Sequence, residues 1–350
     1  MAPAPKVGGG VRSASCQSLV VSHQPTIPPV GQTIVFRGLP SCGAAACLLL
    51  ALLAIPLHAA TYYLTVAGLG GEPDYEQRFQ MLAGETDKLL KAGGPDRVVV
   101  TLQGAAATKS AVLAAFDKFA HKSKPTDSLV VMLIGHGSYD GIEYKFNLPG
   151  PDLSGTELAT ALNRIPAARQ LIVNMTSASG GSITALRKEG RVLVCATRNG
   201  TEKNATVFAR FWVEALRDPA ADTDKNETVS ALEAFRYAQQ KTLKFYEDQK
   251  RLATEHAVIE DTGKGTGERD PSAANGVGLR AAAFPLVRFG TAANAAIDPQ
   301  KKALLEHRDQ IQAQIDQLKF DKTTMDPAAY KQQLTTLLLE LARLQEAIEK

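Results

Sequence analysis

The sequence predicts an α/β fold: a doubly wound, mostly parallel sheet followed by a C-terminal antiparallel helical hairpin. Three observations carry this. Short apolar runs alternate with amphipathic helical stretches from residue 61 onward, the pattern of a parallel sheet covered on both faces. Two of the runs, Val130-Val131-Met132-Leu133-Ile134 and Leu171-Ile172-Val173-Asn174-Met175, are continuous, as in strands buried on both sides. The last fifty residues place apolar positions at alternating spacings of four and three, the narrow seam of paired helices.

In order, 62–67 reads as the first strand, 69–73 as its exit loop and 75–90 as a helix closed by Ala92-Gly93-Gly94. Residues 97–102 form the second strand, 108–121 a helix and 127–134 the third strand. Residues 142–148 suit a short hairpin or loop strand, 156–162 a helix, 170–175 the fourth main strand and 191–196 the next. The span 203–253 reads as two helical pieces joined by 218–227; beyond it the chain is loop-rich, with one more strand at 284–289. In the hairpin, Leu304, Arg308, Ile311, Ile315 and Leu318 precede a break at 323–327, and Tyr330, Leu334, Leu337, Leu341, Leu344 and Ile348 follow it. The arms are expected to pair with each other or to pack back on the domain. Leu338 and Leu339 add apolar surface beyond the seam, which also suits another protein or a second copy of the chain. The organisation expected is a leader over 1–60, an α/β domain over 61–253, a loop-rich extension over 254–298 and the hairpin over 299–350.

The leader has a recognisable logic. Residues 1–33 are rich in Pro, Gly and Ser and contain no acidic residue; Arg37, an apolar stretch over 43–57 and the small pair Ala59-Ala60 follow. A basic start, an apolar stretch and small residues at its end describe a secretory signal peptide. The stretch falls short of the roughly 20 residues that span a membrane. The expectation is a secreted or periplasmic protein cleaved near Ala60; the rival is an uncleaved anchor over 43–57. The proportions of the signal favour Val35 as the initiating residue, with 1–34 ahead of the true start.

Cleavage would change both charge and thiol content. Lys6, Arg12 and Arg37 are the only charged residues of 1–60, so removing them takes the net charge from +3 to zero. A neutral chain offers no electrostatic footprint for nucleic acid, and that class of partner is excluded. Cys16, Cys42 and Cys47 leave as well, and Cys195 alone cannot form an intramolecular disulfide.

The two continuous strands end in chemistry. One runs into Gly135-His136-Gly137-Ser138, the other into Thr176-Ser177-Ala178-Ser179-Gly180-Gly181. Each delivers a polar residue flanked by glycine to the carboxyl edge of the sheet, where open α/β sheets hold their ligands. Gly-His-Gly after a hydrophobic strand resembles the histidine motif of the caspase-like and legumain-like cysteine peptidases. In those families the next strand ends in Ala-Cys-x-Ser-Gly, with the cysteine as nucleophile. Residues 176–180 fall on that motif, and Ser177 stands at the cysteine's position.

The resemblance implies a caspase-like three-layer sandwich, His136 as acid/base, Gly137 N–H as a donor to the oxyanion and Ser177 at the nucleophile position. It extends to Val66-Ala67-Gly68 with Tyr75, and to 196–200 with Glu202, covering about residues 61–217. Thr197, Arg198, Asn199 and Glu202 are the substrate-binding set it implies. Glu76 stands where an arginine is expected, so asparagine specificity does not carry over.

A serine in place of a thiolate needs a well-aligned base and usually a third group to orient that base; only Asp140 lies near in sequence. The expectation is therefore a degenerate peptidase fold that binds a peptide or protein partner without cutting it and requires no cofactor. Its rivals are a hydrolase using Ser177 or Thr176, and a thiol enzyme relying on Cys195.

A second motif lies at 222–233. Asp222, Asp224, Asn226, Thr228 and Glu233 occupy positions one, three, five, seven and twelve of an EF-hand-like calcium loop, with apolar Val229 at position eight. Glu227 takes the sixth position, where glycine normally makes the sharp turn. The alternative is a polar linker whose acids cap the helix beginning near Val229. His121, His256 and His307 have no paired ligand spacing and are expected at the surface. Gly263-Lys264-Gly265-Thr266-Gly267 has the glycine content of a phosphate loop, but no strand is expected to feed it.

Overall fold

The computed structural model describes residues 59–350; the signal segment, the alternative anchor and the candidate start at Val35 lie outside the described residues. The domain opens with β1 (Thr61–Ala67), α1 (Pro73–Lys91), β2 (Arg97–Leu102), α2 (Lys109–Lys122) and β3 (Ser128–Ile134). A ribbon of β4 (Gly137–Tyr139), β5 (Tyr144–Phe146) and β6 (Leu153–Ser154) leads into α3 (Gly155–Asn163). Then come β7 (Arg169–Asn174), α4 (Ile183–Leu186), β8 (Arg191–Cys195), α5 (Phe208–Ala215), β9 (Thr228–Ser230) and α6 (Ala231–Asp248). The chain ends with β10 (Val258–Glu260), α7 (Leu279–Ala282), β11 (Pro285–Arg288), α8 (Gly290–Ile297), α9 (Pro299–Asp321) and α10 (Pro327–Glu349).

The main sheet has the order β10-β8-β7-β3-β1-β2. All its pairs are parallel except β10 with β8. Alternate residues of each strand serve opposite faces. On one face Tyr63, Val130, Met132, Val173 and Val194 pack with Phe79, Phe208, Trp212 and Phe235 from α1, α5 and α6. On the other, Leu64, Val131, Leu133, Ile172 and Leu193 pack with Phe116, Phe119, Leu158, Leu162 and Ile183 from α2, α3 and α4. The result is a three-layer α/β sandwich.

The segment 254–298 holds a strand that the sequence reading lacks: β10 closes one edge of the main sheet, pairing Ile259 with Val194. β11 falls within the strand expected at 284–289 and pairs with β9, a three-residue strand that was not expected. A three-residue strand gives no periodicity of its own; β10 is buried because β8 and the sheet edge receive it. The same strand runs toward the glycine-rich stretch 263–267. That stretch closes on Arg187, which donates to the Lys264 carbonyl at 3.1 Å, and the next helix begins only at Leu279.

The hairpin arms pack on each other through Ile311, Ile315 and Leu344, with Leu334, Leu337 and Leu341 alongside. Arg308, read as a seam position, is 3% exposed and donates to the Asn226 carbonyl and to Thr228 Oγ1, both at 3.0 Å. It pins α9 to the 222–233 loop. Leu338 and Leu339 are exposed on the outer arm. No helix among the described residues is long and apolar enough to cross a membrane.

Candidate functional site

The strand order reverses between β1 and β3: β2 lies outside β1, and the chain then crosses to β3 and continues through β7 and β8. Loops leaving β1, β3 and β7 at their carboxyl ends therefore bound a crevice. His136 leaves β3, Gly70 follows β1 and Ser177 follows β7.

His136 is half-buried, its ring edge-on to Tyr75 at 4.9 Å and to Phe79 at 5.2 Å from α1. Nδ1 stands 3.4 Å from Ser177 Oγ. Burial lowers the histidine pKa, and this outweighs the Gly70 backbone hydrogen bond and the charge of Glu72, which both raise it. The ring is neutral at pH 7 and can accept a proton. Glu76 supports this arrangement from behind: its Oε2 accepts the Gly70 N–H at 2.8 Å, and its Oε1 accepts from Gln80. Glu76, which stands where the resemblance implies an arginine, thus holds the loop that meets the histidine.

Ser177 is 2% exposed. Thr176 is fully buried, its hydroxyl 2.6 Å from Tyr144 OH and 2.9 Å from Asn174 Oδ1, so it belongs to an internal network. Gly137 sits against the same turn: a Cβ there would lie 2.6 Å from the Ser177 carbonyl oxygen and 2.7 Å from Thr176 Oγ1. Asn147 N–H donates to the His136 carbonyl and Asp140 N–H to the Glu143 carbonyl. Antiparallel pairing alternates in this way, so the Gly137 N–H is turned away from β5. Asp140 does not orient the histidine; its Oδ1 accepts the Ile142 and Glu143 N–H groups and shapes the β4–β5 turn.

The turn after Ser177 is tightly specified. Ala178 has φ 54, a conformation uncommon outside glycine, and its N–H donates to the Glu202 carbonyl at 2.8 Å. Thr197, fully buried, accepts the Gly180 N–H at 2.9 Å through Oγ1 and lies 3.1 Å from Ser179 Oγ. Asn199 Oδ1 accepts from Thr201 N and Oγ1. The Glu202 carboxylate accepts from Arg198 N, His256 N and His256 Nδ1 at 2.9, 3.0 and 2.7 Å. Of the four residues read as substrate-binding, Arg198 alone presents an exposed side chain; Thr197 and Glu202 build the loop beneath it.

His256 is therefore engaged, not a free surface residue. His121 and His307 are at the surface, His307 beside Glu340 at 3.3 Å. Next to His256, the buried Glu255 accepts Val207 N, Phe208 N and Tyr246 OH, and burial pushes its carboxyl up to about 7. Cys195 is buried in β8, and burial pushes its thiol up to about 12. It holds no thiolate at neutral pH.

The 222–233 loop brings carboxylate oxygens of Asp222, Asp224 and Glu233 within 4.8 Å of one another. Asp222 accepts Asn226 N and Glu227 N at 3.2 and 2.9 Å. Glu227 makes the turn without glycine, at φ 61, and its carboxylate accepts Ala292 N of α8. Partial enclosure, followed by the charge of Glu233, pushes Asp224 up to about 6. Asn226 Oδ1 accepts Thr228 N. Glu233 also forms a capping box with Ser230 at the start of α6.

No family model matches the chain, and no curated protein matches it. Solved structures similar to it include the initiator caspase Dronc of Drosophila, 8% identical, aligned over 60% of this chain and 82% of that one with a TM-score of 0.39. Caspase-1 of Spodoptera frugiperda is 12% identical over 58% and 87%, with a TM-score of 0.41. Protein GSU0716 of Geobacter sulfurreducens is 14% identical over 53% and 89%, with a TM-score of 0.36.

Proposed function

We propose that this chain is an exported, caspase-like or legumain-like peptidase-fold protein that binds a peptide or protein partner and does not cleave it. The observation that carries this reading is the burial of Ser177 at 2% exposure: a scissile carbonyl cannot reach Oγ unless the covering side chains move. Two features add to it. The histidine is backed by the Gly70 backbone instead of a carboxylate, and a serine nucleophile depends on that carboxylate far more than a thiolate does; in a serine protease its loss costs about 10⁴ in kcat. The 3.4 Å separation of His136 and Ser177 also exceeds a short, strong hydrogen bond. Arg198, exposed at the rim, is the side chain we assign to the partner.

A hydrolase reading has one observation in its favour, the neutral His136 aimed at a hydroxyl. In that mechanism Nδ1 takes the Ser177 proton, Oγ attacks the peptide carbonyl, and the Gly137 N–H stabilises the oxyanion. Turnover of a broad fluorogenic peptide library by the purified chain decides between the two, measured beside His136→Ala, Ser177→Ala and Ser177→Cys. The expected result is a silent wild type; turnover in Ser177→Cys would mean that the covering side chains do move aside and that only the nucleophile has been lost. Wild-type turnover that vanishes in both alanine variants would overturn the binding reading.

We also assign a calcium ion to the 222–233 loop. Three carboxylates this close repel without a cation, and the loop already has the left-handed sixth residue such an ion needs. Calcium at about 1 mM, the range of extracellular modules, is expected to raise the melting temperature of the chain, and magnesium to do so less. Glu233→Gln should abolish the shift while keeping the helix cap, since glutamine also serves at that position. Equal melts in calcium and in chelator would remove the ion from the account.

A further inference from the structure

The dyad occupies the carboxyl edge of the sheet; the opposite edge holds a second cavity, of about 420 Å³, under α9. Its wall is built by the first residues of parallel strands: Thr61 of β1, Arg97 of β2, Ser128 of β3 and Arg169 of β7. It lies about a strand length, roughly 20 Å, from His136, so a ligand there is independent of the peptidase reading.

The cavity is rich in cations, and their pairing is incomplete. Lys302 is matched by Asp96 and lies 4.0 Å from Glu306. Arg288 pairs with Asp309 at 2.5 Å. Arg97 and Arg169 have no carboxylate within ion-pair distance among the described residues. Arg97 lies over Tyr63 at 5.4 Å and donates to the Leu90 and Leu286 carbonyls. Arg169 lies over Phe284 at 5.0 Å and donates to the Ala283 carbonyl.

Carbonyls and ring faces satisfy part of a guanidinium but supply no counter-charge of their own. Asp309 pairs with both Arg288 and Arg308 and its charge also bears on Arg169, so three guanidinium groups share one carboxylate. Aromatic walls and a guanidinium at the mouth that shares its nearest carboxylate with two other arginines are the features of a pocket for an anion with an organic body. The volume falls within the usual range for small-molecule sites.

We propose that this cavity binds a small organic anion through a phosphate or carboxylate group, held by Arg169. Arg169 is exposed at the start of its strand, so removing its charge should leave the fold intact.

The test is thermal melting and calorimetric titration of the full chain with sodium phosphate and with trisodium citrate, each against sodium chloride at matched ionic strength. Both anions stabilise proteins by exclusion, but that effect does not saturate and does not depend on one arginine. The expected result is a saturable rise in melting temperature with at least one of them, weakened about tenfold in Arg169→Gln, the order of one charge-assisted hydrogen bond. The exposed Lys118→Gln should leave it unchanged. Saturation with phosphate alone assigns a phosphate ester, and with citrate alone a polycarboxylate. No saturation with either anion, or equal affinity in Arg169→Gln, would overturn the proposal.

Discussion

Gly180→Ala is expected to lower the melting temperature by about 10 °C. A Cβ on Gly180 would lie 2.4 Å from the Arg198 carbonyl carbon and the Asn199 nitrogen and 2.5 Å from the Arg198 carbonyl oxygen. All three are backbone atoms, which cannot swing aside as a side-chain end can. The two loops must separate, and with them goes the Gly180 N–H to Thr197 bond. Overpacking of this kind costs about 3 kcal/mol, and each kcal/mol shifts the midpoint by about 3 °C in a domain of this size. Gly84 in α1 is the control, since a Cβ there meets nothing within 4 Å. Gly84→Ala should leave the melt unchanged or raise it slightly, by about 1 kcal/mol or less. If both variants melt alike, the packing of the Ser177 turn on the 197–202 loop is looser than these contacts require. The same variant should weaken partner binding, because the displaced loop carries Arg198.

This turn marks how far the sequence reading reached. The parallel strands were legible because a strand covered on both faces must be apolar throughout, as 130–134 and 171–175 are. The longer helices of the two covering layers followed from their amphipathic pattern, and the hairpin from its four-three spacing; the single-turn α4 did not. What escaped was whatever owes its place to a distant partner. β10 is three residues long and is a strand only because β8 has an open edge. Arg308 occupies an apolar seam position, yet it is buried because the Asn226 carbonyl and Thr228 lie against it.

The site divides in the same way. His136, Gly137 and Ser177 could be placed together because each follows a buried parallel strand and so falls at the carboxyl edge of the sheet. The side chains that hold them were not visible, since their partners lie far along the chain. Glu202 was assigned to substrate from the resemblance, but its carboxylate serves His256, 54 residues later. Glu76 looked like a missing arginine, and its contact with Gly70 depends on how the β1 exit loop folds back over α1. A carboxylate next to a loop glycine at this spacing is the one local signal that could have suggested it.

The largest single loss of stability is expected from Arg191→Met. Arg191 is 1% exposed and has no carboxylate within ion-pair distance among the described residues. Burial lowers its pKa to about 10, still above neutral pH, so a full charge sits inside the protein. Three acceptors compensate: Gln170 Oε1 at 3.0 Å, the Leu186 carbonyl at 2.6 Å and Asn163 Oδ1 at 2.9 Å. These tie the amino ends of β7 and β8 to α3 and α4. Methionine roughly keeps the aliphatic volume and removes the donors, which leaves the buried acceptors unpaired. Each orphaned group costs about 1–3 kcal/mol, and relief from burying the charge offsets part of the sum. The net expected loss is about 4 kcal/mol, read as a lower urea midpoint with an unchanged slope. Arg191→Lys should fall between, because one ammonium reaches fewer of the three acceptors. Since these groups lie at the amino edge and His136 with Ser177 at the other, a folded Arg191→Lys should keep its partner affinity. A loss of binding matching the loss of stability would mean that the two edges of the sheet are coupled.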